Sequence, residues 1–178
     1  MKRYVIVSLL EGEEKKFHKS LVKEVCDKFN VRPQKLPMHI TLKAPFEIES
    51  IDEVEKTTEK FVENRKSCGI EIKNYDHFRD NVIFMDILPS KEALELHKEY
   101  YLELKEIEDL NWSNNEGESI KFHCTLVSRR ISSKFKDIWN HVIEKEIFFK
   151  SAISNITIME YNFYKNIWEV YKKFYLND

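Results

Sequence analysis

Two stretches, His39-Ile40-Thr41-Leu42 and His123-Cys124-Thr125-Leu126, carry the same pattern, H-x-T-L, 84 residues apart and about one in each half of a 178-residue chain. With 6 His in the chain, chance predicts on the order of 0.01 copies of such a tetrapeptide, so the repetition marks an organisation in two halves. Both stretches alternate polar and apolar residues, as half-buried strands do. Period two then sets the His and Thr of each copy on one face and turns Ile40, Leu42, Cys124 and Leu126 toward the core.

Each half therefore offers an imidazole and a hydroxyl side by side on a rigid element. If the halves face each other across a cleft, His39, Thr41, His123 and Thr125 converge. An imidazole has an unperturbed pKa near ~6.5, so one can take a proton while the other gives one, and hydroxyls can hold non-bridging phosphate oxygens. Local charge fits an anionic substrate. Residues 28–46 contain Lys28, Arg32, Lys35 and Lys43 without an acid, and residues 121–136 contain Lys121, Arg129, Arg130, Lys134 and Lys136 without one. If the strands run on, Lys43 and Arg129 keep phase with the motif residues and become the candidate substrate-binding cations. Phe46, close behind the first motif, is a candidate stacking platform for a base, the alternative being a place in the core. Neither motif supplies further ligands for a metal, and none is expected.

Outward from the motifs, apolar residues at 17, 21, 22, 25 and 29 predict an amphipathic helix over 13–29. Pro45 is expected to close the first motif strand. Ser50 and Glu53 predict a capping box opening a second helix. Residues 70–72 read as an edge-like strand pairing with a central one at 82–88, and a long helix is expected from Leu94 to about Leu110. After a polar loop, 111–119, comes the second motif strand. Phe135, Ile138, Trp139 and Val142 predict a last helix, and three strands close the chain, the final two joined near Lys165-Asn166. The remaining histidines, 18, 77, 97 and 141, read as ordinary helix and turn residues.

Composition limits the function classes. The chain is 42% apolar and 34% charged with a formal net charge of -2, enough for a core but without the basic footprint of a protein gripping a long nucleic acid. Its glycines, Gly12, Gly69 and Gly117, are too dispersed for a phosphate loop or a dinucleotide turn. Cys26, Cys68 and Cys124 suit neither a disulfide framework nor a zinc cluster, so a cytoplasmic setting is expected. Residues 4–10 read as a buried first strand, and no apolar run approaches the ~20 residues needed to span a bilayer.

The paired motifs, in residue type, order and separation, resemble those of the 2H phosphoesterase superfamily, which contains the 2'-5' RNA ligase-like proteins and the 2',3'-cyclic nucleotide phosphodiesterases. The resemblance covers essentially the whole chain. It implies an α+β fold, one bilobal domain over 1–178 with a pseudo-twofold axis, antiparallel sheets lining a central cleft and helices outside. It further implies His39 and His123 as general acid and base, Thr41 and Thr125 as phosphate contacts, and neither metal nor cofactor. The expected activity is metal-independent hydrolysis of 2',3'-cyclic phosphates on RNA ends or small nucleotides, by a monomer with no membrane partner. Two alternatives remain, a binding module for nucleotides or RNA ends without turnover, and a 2'-5' RNA ligase.

Overall fold

Residues 4–8 are all buried, so the first strand, β1 (Lys2–Leu9), is covered on both faces and must lie inside a sheet. The computed structural model, which describes residues 1–178, continues with α1 (Glu13–Phe29), β2 (His39–Ile48), α2 (Asp52–Val62), β3 (Cys68–Phe78), β4 (Val82–Pro89), α3 (Lys91–Lys105), β5 (His123–Ser128), α4 (Phe135–Ile143), β6 (Phe148–Ile153), β7 (Asn155–Asn162) and β8 (Ile167–Tyr175). The strands form two four-stranded sheets, β2-β1-β7-β8 and β5-β4-β3-β6, with every named pairing antiparallel. Two β-α-β units, β1-α1-β2 and β4-α3-β5, occupy equivalent places, and each ends in a motif strand at its sheet's edge. This is the α+β arrangement in two lobes that the family resemblance implies.

One cluster of buried apolar side chains runs through both sheets and their helices, so the lobes share a core. The motif residues Ile40, Leu42, Cys124 and Leu126 are part of it, at 6% exposure or less. On the opposite face of the first sheet, Val5 and Val7 pack with Met159 beneath Leu36 and Trp168.

Several local expectations change. Pro45 does not end β2. The register steps from Lys43 opposite Ile6 to Phe46 opposite Tyr4, which puts Ala44 and Pro45 in a bulge, and an edge strand tolerates a residue that cannot donate. Residues 70–72 lie in β3, an inner strand, while the edges of the second sheet are β5 and β6. Ser50 does not cap α2, which begins after Ile51; its hydroxyl accepts only the Asp52 N–H. Ser90 caps α3 instead, accepting the Ala93 N–H. α3 stops at Lys105, short of Leu110.

Candidate functional site

β2 and β5 lie against each other where their motifs begin. The Cys124 thiol, fully buried, donates to the His39 carbonyl at 3.1 Å and ties the two strands directly. Burial pushes that thiol well up, so it stays a neutral donor.

The two motif histidines are held in the same way. His39 Nδ1 is 2.6 Å from the Pro37 carbonyl, and His123 Nδ1 is 2.7 Å from the Lys121 carbonyl, in each case the residue two positions earlier. A carbonyl can only accept, so Nδ1 carries the proton and Nε2 keeps its lone pair in the neutral ring. Both copies thus present the same tautomer with the same nitrogen free. His39 is 8% exposed and His123 half-buried. The His123 ring is flanked by Phe84 at 5.0 Å and, edge-on, by Phe78 at 5.1 Å.

Burial pushes His39 down to about 4, against the Pro37 hydrogen bond and with the neighbouring His123 and His18 adding to the effect. His123 is also lowered by burial; the Lys121 carbonyl opposes this, the Lys121 ammonium adds to it, and Asp86 opposes it. Asp86 faces His123 across the β4–β5 ladder and pairs with Lys121 at 2.6 Å. The two imidazoles are therefore neutral near pH 7, and beside His123 the Lys121 ammonium disfavours protonation more than the Asp86 carboxylate favours it.

The His39 shift has a stability consequence with a definite sign. Its folded value lies below the unfolded one, so between about pH 6.5 and 4 the unfolded chain binds a proton that the folded chain does not. Stability contributed by the neutral form falls as pH drops through that window, by about 3 kcal/mol when the full separation is realised. Urea midpoints measured from pH 7 to 4.5 are expected to decline less steeply in His39→Gln than in the wild type. Equal slopes would show that His39 titrates normally.

The cleft beside these residues has a volume of about 780 Å3. Thr41 and His123 line it, as do Phe78, Arg79, Trp112 and Lys121. Thr125 is half-buried two residues beyond His123 on β5. The structure brings the two motif strands together, but of their four site residues only Thr41 and His123 line the cleft, His39 and Thr125 lying behind its wall, and none of the other three candidates faces it. Lys43 is 1% exposed and ion-paired with Glu116 at 2.9 Å, its Nζ lying 4.5 Å from the Trp112 ring centroid. Phe46 is 4% exposed and packs on Tyr4 at 6.1 Å, which corrects the stacking expectation to a core role. Arg129 stands in the turn after β5 with φ 63°, its N–H donating to the Asn81 carbonyl.

One backbone feature accounts for the lost phase. On β2 the register passes from Thr41 opposite Val7 to Lys43 opposite Ile6, leaving Leu42 as an extra residue. On β5 it passes from Thr125 opposite Phe84 to Val127 opposite Ile83, leaving Leu126 extra. Both motifs carry a bulge at their leucine, which reverses the alternation and buries the next residue, Lys43 or Val127. The cleft's cations are instead Lys121 and Arg79. Lys121 could have been found by running period two backwards from His123. Arg79 lies on the β3–β4 turn at φ 52°, where only tertiary structure assigns it.

Residues 14–163 match the family described as the 2'-5' RNA ligase superfamily. A Bacillus pumilus protein named "Putative phosphoesterase" is 22% identical over 147 residues, covering 80% of this chain and 81% of that one. Among solved structures, Escherichia coli LigT complexed with 3'-AMP superposes with a TM-score of 0.68 at 12% identity over 99% of both chains. LigT complexed with NADP+ gives 0.66 at 14% identity, again over 99% of both chains. TT0787 of Thermus thermophilus gives 0.67 at 14% identity over 98% of this chain and 97% of that one. The match over most of the chain and the paired H-x-T-L strands agree: this protein belongs to the 2'-5' RNA ligase superfamily of 2H phosphoesterases.

Proposed function

We propose that the protein is a phosphodiesterase that opens 2',3'-cyclic phosphates on RNA ends or small nucleotides. The observation that carries this reading is the pair of neutral imidazoles on facing strands, each with Nδ1 donated to the carbonyl two residues back and Nε2 free. In the proposed reaction His39 Nε2 takes a proton from water as the water oxygen bonds to phosphorus. The bond from phosphorus to one ribose oxygen breaks, and His123 Nε2 supplies the proton that oxygen needs, leaving a phosphomonoester. His123 is assigned as the acid, protonated as the anionic substrate binds, because His39 is the more deeply buried ring and is held down to about 4, whereas the lowering of His123 is opposed by the Lys121 carbonyl and Asp86.

Thr41, which lines the cleft, and Thr125, half-buried beside it, are proposed to hold the phosphate oxygens, with Arg79 and the Asp86-paired Lys121 supplying positive charge at the cleft. Phe78, 41% exposed beside His123, is better placed than Phe46 to meet a sugar or base. The bound 3'-AMP named for LigT is a ligand of the kind this reading requires.

The test is hydrolysis of 2',3'-cyclic mononucleotides and a cyclic-phosphate-terminated oligonucleotide in EDTA by the wild type and the His39→Ala, His123→Ala double variant. Turnover by the wild type alone supports the reading; retained binding with no product in either replaces it by a binding module. Thr41→Val and Thr125→Val keep the side-chain shape but remove the hydroxyl. Each is expected to lower kcat/KM by about 10–100-fold, the value of a hydrogen bond to a charged oxygen. Unchanged steady-state kinetics in both would remove the threonines from the site.

A further inference from the structure

α1 and α3 hold equivalent places in the two β-α-β units, yet each reaches across to the other unit's motif strand. α1 packs on β5 and α3 on β2. Each helix carries a buried histidine, His18 at 7% exposure and His97 at 2%. His18 Nε2 donates to the Thr125 carbonyl at 2.9 Å. His97 has two main-chain carbonyls near its ring, that of Glu118 from the loop of its own lobe and that of Leu42 from β2, for the single N–H of a neutral imidazole, and it meets the Phe122 ring at 5.7 Å.

The two carbonyls on the motif strands, those of Leu42 and Thr125, lie at the bulges. A bulge interrupts the ladder, and buried main-chain groups at the interruption need other partners. Burial lowers both His18 and His97, against the pull of the carbonyls they face, so each stays a neutral imidazole, able to donate one N–H near pH 7. Each also stands beside the other motif: His18 is close enough to His39 to disfavour its charge, and His97 packs on the residue that precedes His123.

We infer that His18 and His97 are a crossed pair of positioning residues, each holding, from the helix of one lobe, the motif strand of the other, and together setting the separation of His39 from His123. The inference rests on the reading of His39 and His123 as acid and base. It gives a function to two histidines whose sequence context is that of ordinary helix residues.

The experiment compares His18→Leu and His97→Leu, which remove the donor, with His18→Gln and His97→Gln, which keep one. Both leucine variants are expected to lower kcat on the cyclic phosphate by about 10–100-fold with KM within about twofold, the scale of a reacting group misplaced by a fraction of an ångström to one. Both glutamine variants are expected to recover most of the loss. Leucine variants with wild-type kcat would overturn the inference, and so would glutamine variants as impaired as leucine ones with the same fall in melting temperature. The free protein gives a second readout that needs no substrate. The imidazole nitrogen shifts of His123 are expected to move in His18→Leu and those of His39 in His97→Leu, with both restored by glutamine. Unmoved shifts in both leucine variants would overturn the crossed arrangement even if no cyclic phosphate is turned over. Moved shifts without any turnover would reject the proposed activity and leave the positioning intact.

Discussion

His39→Ala and His123→Ala are each expected to lower kcat on a 2',3'-cyclic phosphate by about 10^2–10^4-fold, the usual contribution of a placed general acid or base. The double variant should be far less impaired than the product of the two, because two groups acting on one proton-transfer geometry do not contribute independently. The variants should also differ from each other. An aryl phosphodiester releases a stable phenolate and has little use for an acid, so His123→Ala should keep most of the wild-type rate on it. His39→Ala, which on the proposed reading lacks the group that activates water, should stay slow on both substrates. The reverse result would exchange the roles. Equal defects on both substrates would instead mean that either ring acts by holding the phosphate. The basis for unequal roles is local: His39 is more deeply buried and is held down to about 4, while His123 has Asp86 opposite it. Two identical tetrapeptide patterns have thus been given different electrostatic surroundings by their neighbours.

Those neighbours mark the boundary of what the sequence makes legible. The alternation within residues 39–42 and 123–126 is local, and it suffices to bury Ile40, Leu42, Cys124 and Leu126 while leaving the histidines and threonines on the other side. The helical period over 13–29 likewise returns α1 with its observed ends. The bulges at Leu42 and Leu126 are set by pairing with β1 and β4, and nothing within either motif encodes a ladder's register. For that reason the extrapolated phase fails at Lys43. Arg129 is lost for a second reason, since β5 ends at Ser128. Ser50 and Ser90 both precede a helix with acid in its first turn, and only backbone geometry decides that Ser90 is the cap. His18 and His97 sit on helices of ordinary pattern, and the motif-strand carbonyls they meet, those of Thr125 and Leu42, belong to the opposite lobe. Glu116 comes from a polar loop with no periodicity, and its partner Lys43 is 73 residues away in sequence.

Glu116→Ala is expected to destabilise the protein by about 3–5 kcal/mol, the scale for leaving a buried charge without its partner. The Lys43 ammonium, 1% exposed, has the Glu116 carboxylate at 2.9 and 3.1 Å. That carboxylate also accepts the Ala44 N–H and the Ser113 N–H, each at 2.8 Å, so its removal orphans two main-chain donors along with the cation. Burial works to raise Glu116, but the Ser113, Lys43 and Ala44 contacts prevail and hold it below the usual carboxylate range. Lys43→Met should cost less, because the remaining carboxylate, 11% exposed, keeps both N–H donors. The pair Lys43→Met, Glu116→Gln should recover much of the loss, since a buried ion pair replaced by neutral groups of similar size is often nearly neutral in stability. Urea midpoints of the four proteins decide this, and a Glu116→Ala variant as stable as the wild type would mean that water reaches Lys43 in solution. The same contact joins the loop carrying Trp112, Ser113 and Lys121 to β2 just beyond Thr41, and these residues wall the cleft. Below its melting temperature, Glu116→Ala should therefore raise KM by about tenfold while kcat falls much less, because the loop shapes the substrate's seat and the two imidazoles are held elsewhere. A fall confined to kcat would place the loop's influence on the histidines instead. Lys43 thus neutralises the protein's own carboxylate and fixes the wall of the cleft, and on the proposed reading it is Lys121 and Arg79, which line that cleft, that would meet the phosphate.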